Sequence, residues 1–309
     1  MEEKYAQGSH GRGTRQGRHG GFCLFTLALL GGCDDQDAAP AVAHPVVEIA
    51  LHEPIAQVLA RSPLRFSKDC LKPVRMCWYE IERSPNDKNL PVALIGGGEH
   101  ALRIEQVSGI STVIDEALGD TVSNIDINLR GLPDNSPYTE QQAFILQRIA
   151  ELKSAGWKRY YLPSQPRVSG SQADKIPSGD NVLGHYVLNH PWLDPDYPIP
   201  LEHWLHDKSF YSWYFHRDDA YLHVWSWCWD DRQAPMERAT CLTTLQFQSE
   251  YDFWSSSFEE NERPRWKELM PAKLAKDRET RRGVEEQLRA AGIEIDDSYQ
   301  DPPIKALAP

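Results

Sequence analysis

Cysteine is scarce in this 309-residue chain: there are six, at positions 23, 33, 70, 77, 228 and 241, and no two are spaced C-x-x-C. That spacing marks most zinc ribbons and thioredoxin-like redox pairs, so a four-cysteine zinc site is disfavoured. Long hydrophobic runs are missing as well. The one apolar stretch of note, Phe22 to Leu30, is too short to cross about 30 Å of hydrocarbon as a permanent helix. Basic residues are in deficit, with 33 Lys and Arg against 45 Asp and Glu and a net charge of -12. An acidic surface repels phosphate backbones, which argues against a nucleic-acid partner and against electrostatic docking on anionic headgroups. No G-x-S-x-G elbow, H-E-x-x-H helix or G-x-G-x-x-G turn occurs, so the common signatures of serine hydrolases, zinc proteases and dinucleotide enzymes are absent.

What is present starts at the amino terminus. A polar segment carrying Arg15 and Arg18 precedes the apolar run and then Leu30-Gly31-Gly32-Cys33. This is the layout of an export signal. Its end resembles the bacterial lipobox, which implies cleavage before Cys33 and lipid on that thiol. Without residues 1–32, which hold four basic and two acidic side chains, 29 basic residues face 43 acidic ones, a net of -14. Residues 33–62 read as a tether and lead-in, since Asp34 to Pro45 has neither helical nor strand period. By resemblance to enterobacterial lipoproteins, Asp34 implies retention at the inner membrane, facing the periplasm.

In an exported chain the four remaining cysteines suggest disulfides. Three pairings are possible, and the local ones, Cys70 with Cys77 and Cys228 with Cys241, are preferred because each spans a short turn-like segment.

The rest predicts an α+β fold with mixed or antiparallel sheets and a few helices. Residues 63–165 read as one α+β subdomain. Met76–Ile81, Leu90–Ile95 and Val122–Leu129 look like strands. Thr139-Glu140-Gln141-Gln142 has the form of a capping box, with Phe144, Ile145, Ile149 and Leu152 at helical spacing until Gly156. A strand over 158–163 follows. Residues 166–309 read as a second, tryptophan-rich β subdomain with a terminal helix, after a Pro- and Gly-rich stretch that continues to Pro200. Its clearest feature is a β-hairpin over 209–229: Tyr211, Trp213 and Phe215 share one parity, and Tyr221, His223, Trp225, Trp227 and Trp229 share one parity on the second strand. Cys241–Phe247 is a third strand, and Glu259–Ala291 is helical, with Pro264 and Pro271 at starts or kinks.

Candidate chemistry is thin. Gly96-Gly97-Gly98 lacks a following Lys-Ser/Thr and reads as a hairpin turn rather than a phosphate loop. His203 and His206 could share a metal if helical, the basis of a metal-dependent hydrolase reading, but surface or packing roles suit them better. Asp218-Asp219 and Asp230-Asp231 suit turns. The tryptophans are core if the terminal helix covers them. If partly exposed, they suit a protein interface or sugar stacking.

Arg130-Gly131-Leu132-Pro133-Asp134, Ala155-Gly156-Trp157-Lys158-Arg159-Tyr160, Pro163-Ser164 and Pro166-Arg167-Val168-Ser169-Gly170 resemble periplasmic immunity lipoproteins encoded beside type VI secretion phospholipase effectors. The hairpin from Tyr214 to Trp229 is consistent with the same group. The resemblance implies a non-enzymatic inhibitor without cofactor or metal, whose partners are the cognate phospholipase and, through its lipid, a membrane. The residues expected at the partner interface are Trp213, Trp225 and Trp227 and the loop from Arg167 through Asp174 to Asp180. The alternative is a substrate-binding lipoprotein for glycan or peptidoglycan.

Cys33→Ala is expected to abolish incorporation of labelled palmitate and release the protein from membranes. Unchanged membrane association in that variant rejects the anchor.

Overall fold

The computed structural model describes residues 44–98, 101–206 and 210–308. Cys33 and the leader expected over residues 1–32 lie outside them. Residues 46–61, expected as lead-in, belong to the fold. Val47 and Ile49 alternate inward on β1 (Val46–Ile49), and Ile55 and Val58 are the buried face of α1 (Ile55–Arg61). β1 runs parallel to β4 (Val92–Ile95), which pairs antiparallel with β5 (Leu102–Ile104), making a three-stranded sheet. β4 and β5 form the hairpin expected around the glycine triplet. Gly96 and Gly98 sit at positive φ, where a side chain would be strained.

The larger sheet has nine strands. It takes β2 (Ser67–Leu71), β3 (Met76–Glu82), β6 (Val107–Asp115), β7 (Asn124–Leu129), β8 (Ser136–Pro137), β9 (Lys158–Arg159), β10 (Phe210–Arg217), β11 (Ala220–Asp230) and β12 (Arg238–Ser249). Its order is β2-β3-β6-β7-β12-β11-β10-β9, with β8 added on β12, and all its pairs are antiparallel. The expected division between residues 63–165 and 166–309 does not separate this sheet. β7 of the first half pairs with β12 of the second from Asn124↔Gln248 to Leu129↔Thr243, and residues 42–309 form one compact unit. Sequence order hides this because the partners lie more than a hundred residues apart.

Both preferred disulfides form, Cys70–Cys77 between β2 and β3 and Cys228–Cys241 between β11 and β12. In each case the cysteines stand directly opposite in the ladder, with Cα atoms 4.1 Å apart. The zinc reading is thereby displaced: the thiols are used in pairs.

The inner face of the sheet packs on α2 (Tyr138–Ser154), α3 (Leu201–His206) and the small sheet. α2 buries Ile145, Ile149 and Leu152, as its spacing predicts. It starts two residues earlier than the capping box implies: Pro137 holds the N-cap position and no side chain caps the helix, so Thr139 lies inside the first turn. Pro137 is already paired with Arg238, and that tertiary bond sets the start. The end is as expected. Gly156 takes φ +88°, and Trp157 N–H and Gly156 N–H donate to the carbonyls of Leu152 and Lys153, a left-handed cap. The strand expected over 158–163 shortens to two residues, after which Tyr160 N–H donates to the Tyr214 carbonyl and the chain leaves the sheet.

Residues 163–200 are loop with two short 3-10 turns. They are held by α5 (Trp266–Ala290), which follows α4 (Glu250–Ser255). The Arg281 guanidinium donates to the carbonyls of Tyr161, Leu162 and Gln165 and to Asp301. Glu285 accepts a two-pronged bond from Arg167 at 2.8 and 2.7 Å, and a third from its backbone N–H. Pro271 is accommodated inside α5, and Pro264 in the 3-10 turn before it.

Trp213 is 2% exposed within the inner core, whereas Trp227 is 52% exposed. Trp213→Ala is expected to cost about 3–5 kcal/mol in denaturant unfolding. Trp227→Ala is expected to change stability by no more than roughly 0.5 kcal/mol. Equal losses at the two positions would contradict the placement of these side chains.

Candidate functional site

The hairpin divides its aromatics between two environments by simple alternation. Because Trp213 pairs with Val224 and Phe215 with Leu222, the buried set is Tyr211, Trp213 and Phe215 together with Leu222, Val224 and Cys228. Trp204 of α3 stacks on Tyr211 at 4.0 Å, and the Tyr211 hydroxyl donates to the Trp204 carbonyl at 2.7 Å. Trp213, expected at the partner interface, is therefore core and cannot reach a partner. The opposite parity of β11, from Tyr221 to Trp229, points to the outer face.

That face is covered at one end only. Tyr221 is buried against Phe253 and Trp254, with Trp254 Nε1–H donating to its hydroxyl at 3.0 Å, and Trp266, Met270 and Leu274 of α5 close the cluster. Cover then fails along the strand. His223 and Trp225 are half-buried, and Trp227, Trp229 and Leu242 of β12 are 52%, 51% and 53% exposed. The register sets these side chains in rows: Phe210 opposite Trp227 opposite Leu242, and Trp229 opposite Thr240. Phe210 meets Trp227 edge-on at 5.1 Å, and His223 lies flat on Tyr214 at 4.3 Å and tilted against Trp225 at 4.8 Å. Trp227 is thus braced by Phe210 and Trp225 by His223, which limits their freedom before any contact is made. Neutral polar groups lie on the neighbouring strands: Thr244 Oγ1 donates to Asn128 Oδ1 at 2.8 Å, and Asn135 N–H donates to Thr240 Oγ1 at 3.0 Å.

Further along the same face the polar groups are strained electrostatically. Burial drives Asp126 of β7 up to about 6, with its cross-strand partner Gln246 opposing and the Asp252 charge adding. Burial also raises Asp252, despite hydrogen bonds from Gln248 and Asn124. His223 is lowered to about 4 by burial alone, and its Nε2 lies 2.7 Å from Ser212 Oγ. Ser212 is itself buried, and the pair serves the packing between β10 and β11.

The remaining expected site residues fall elsewhere. Arg167 is committed to Glu285; burial raises that carboxyl, and the bonds and charge of Arg167 outweigh burial and hold it below its ordinary value. Asp174 and Asp180 are exposed on the loop. His203 and His206 do not converge on a metal: His203 lies flat on Trp192 at 4.1 Å, and His206 meets the same ring edge-on at 5.1 Å. Among the described residues the one trio with ligand atoms close together is Cys70, Cys77 and Glu116, and its two sulfurs form a disulfide. Clefts exist beside α2, lined by Arg103, Gln106 and Arg148, and beside β9, lined by Arg159, Asp194 and Asp296, and neither meets the outer tryptophans. Trp229 and Leu242, not among the residues expected at the interface, are exposed on the same face as Trp227. The parity of Trp229 was visible in sequence, whereas Leu242 joins only through the register with Trp227. No described helix is long and apolar enough to cross a membrane.

No protein-family model matches the chain, and no curated protein or solved structure matches it.

The pH dependence of Asp126 has a defined sign. Its folded value, about 6, lies above the ordinary 3.8, so its stabilising contribution is complete below pH 4 and lost as pH rises through 6. The lowered His223 acts oppositely: its contribution is complete above 6.5 and lost as pH falls through 4. Asp126→Asn is expected to be more stable than the parent at pH 7–8, with the gap closing at pH 4. Urea unfolding across this range measures it, and a gap that is independent of pH would refute the assignment.

Proposed function

We propose that this chain is a membrane-tethered periplasmic immunity protein that binds and inhibits a type VI secreted phospholipase, and that the outer face of β10–β12 is its contact surface. The observation that carries the reading is the group Trp227, Trp229 and Leu242, each about half exposed, beside the half-buried Trp225 on the same face. Contiguous apolar exposure of this kind is unfavourable in an isolated protein and marks a surface that is covered in use. Trp is also the residue type that most often dominates binding energy. The resemblance of residues 130–170 to immunity lipoproteins, the lipobox-like Cys33 and the two disulfides support an exported inhibitor. The acidic balance suits a partner with basic rim groups.

An inhibitor that protects its own cell works at low toxin concentration, so affinity of nanomolar or better, on the order of -12 kcal/mol, is expected. Tethering raises its effective concentration where lipid is attacked. The second reading, a glycan-binding lipoprotein, is favoured by the neutral Thr240, Thr244 and Asn128 beside the indoles.

The test expresses the neighbouring lipase in the periplasm with the parent chain or with Trp227→Ala/Trp229→Ala. The parent is expected to protect cells, and the double variant to lose protection at unchanged abundance. Full toxicity beside correctly exported parent, with no complex by calorimetry, rejects the inhibitor and leaves the glycan reading, which binding to purified peptidoglycan would then check.

A further inference from the structure

The tail of the chain crosses α5 without closing on it, and between them lies a cavity of about 310 Å³. It is bounded by Tyr160 just past β9, Trp254 of α4, Leu274 and Arg278 of α5, and tail residues between Asp301 and Ala308. Arg278, Pro303 and Ala308 are exposed and mark its mouth. Two anchors hold the tail across it. Arg281 donates to Asp301 Oδ1 at 2.8 Å, and the buried Glu250 accepts the backbone N–H groups of Lys305 and Ala306 at 2.6 and 2.7 Å. Pro302 and Pro303 span the gap between these anchors. They have fixed φ and no N–H to leave unpaired, so this stretch can run over an apolar space without slumping into it. Ile304 and Leu307 are only half-buried against the cluster beneath.

The lining is apolar apart from three polar groups that lie together. The Asp301 carboxylate is engaged by Arg281 at 2.8 Å and Arg278 at 3.6 Å, and its charge acts on the Tyr160 hydroxyl. Two guanidiniums face one carboxylate, so this end of the cavity keeps a positive charge. Tyr160 is 2% exposed, yet its hydroxyl makes no hydrogen bond to any described residue. Its backbone groups are satisfied by Tyr214 and Asn189, and its ring stands edge-on to Tyr221 at 5.2 Å and Phe253 at 5.9 Å. The Trp254 Nε1–H donates to Tyr221 instead. Burial, followed by the Tyr221, Tyr299 and Asp301 groups, raises Tyr160 well above its ordinary value, so the hydroxyl keeps its proton and remains a donor. A buried hydroxyl left unpaired is costly, and a bound acceptor would remove that cost.

We propose that this cavity is a ligand site for a small apolar monocarboxylate. Its carboxylate accepts from the Tyr160 hydroxyl and faces Arg278, and its hydrocarbon body lies against Trp254, Leu274, Ile304 and Leu307. At about 30 Å³ for each non-hydrogen atom the space holds roughly ten of them. An apolar lining with a few convergent polar groups is the usual make-up of a small-molecule site, and this cavity stands at the small end of their range. An alcohol of the same shape could use Tyr160 but would forgo the guanidinium. An amine would set a further cation beside Arg278 and Arg281. The site is separate from the outer tryptophans and does not depend on the function proposed for them.

The purified chain is titrated by calorimetry with phenylpropanoate, phenylpropanol and phenylpropylamine, which share one body and differ in the head group. Saturable binding of the acid, at least tenfold tighter than of the alcohol or the amine, is the expected result. Tyr160→Phe keeps the ring and breaks no bond within the fold. Its denaturation midpoint is therefore expected to match the parent while affinity for the acid falls about tenfold, the loss of one hydrogen bond to a charged acceptor. Leu307→Trp, which fills the cavity from the half-buried tail, is expected to abolish binding, and if it displaces the tail Tyr160→Phe still decides. No saturable binding of the acid to the folded parent overturns the site, as does acid affinity unchanged by Tyr160→Phe. Equal binding of the three probes overturns the carboxylate head group.

Discussion

The structure depends on β12 having neighbours along both edges. On one side it runs in register with β11 from Ala239↔Asp230 to Ser249↔Ala220, and on the other with β7 and β8. Each backbone pair made on one edge holds the strand straight for pairing on the other, so the hairpin of the second half and the meander of the first are locked in a common frame. The Cys228–Cys241 bridge sits within the first of these ladders and restrains it covalently. Because side chains alternate with period two, this register leaves no freedom in which aromatics go in and which go out.

The helices then decide how much of the outer face is hidden. α5 is positioned by buried polar anchors more than by a long apolar stripe: Arg281 gathers three loop carbonyls, and Glu285 takes the fork of Arg167. Such groups are costly to bury unless every bond is made, so they hold the helix to one place. Glu250 adds a second anchor by accepting the backbone N–H groups of Lys305 and Ala306 at the tail. With α4 and α5 seated over Tyr221, the outer face of β11 loses cover toward Trp227 and Trp229. The exposed tryptophans thus follow from where the charged anchors place the helix.

Much of the fold was legible in the sequence, for reasons that are local. The α2 stripe of Ile145, Ile149 and Leu152 and the Gly156 stop follow from helical period and a left-handed cap. The hairpin about Asp218-Asp219 is marked by parity on both arms. What is not legible is set by distant partners: β1 and α1 read as lead-in because a short apolar segment shows its role only beside β4, and α2 starts before its capping box because Pro137 pairs with Arg238. Of the residues expected at the interface, Trp225 and Trp227 lie on the outer face as their parity implies, while Trp213, on the other arm, lies in the core and Arg167 in an ion pair with Glu285.

By itself, then, the sequence determined the α+β class, the strand-forming alternation of residues 210–230, a preference for local disulfide partners and the acidic character of the chain, since each depends on residue type and short-range spacing. The tertiary structure alone decided that both halves share one sheet, that Leu242 stands beside Trp227, and that α5 stops short of Trp225, Trp227 and Trp229. Those outcomes rest on contacts between residues scores of positions apart, which no local period encodes.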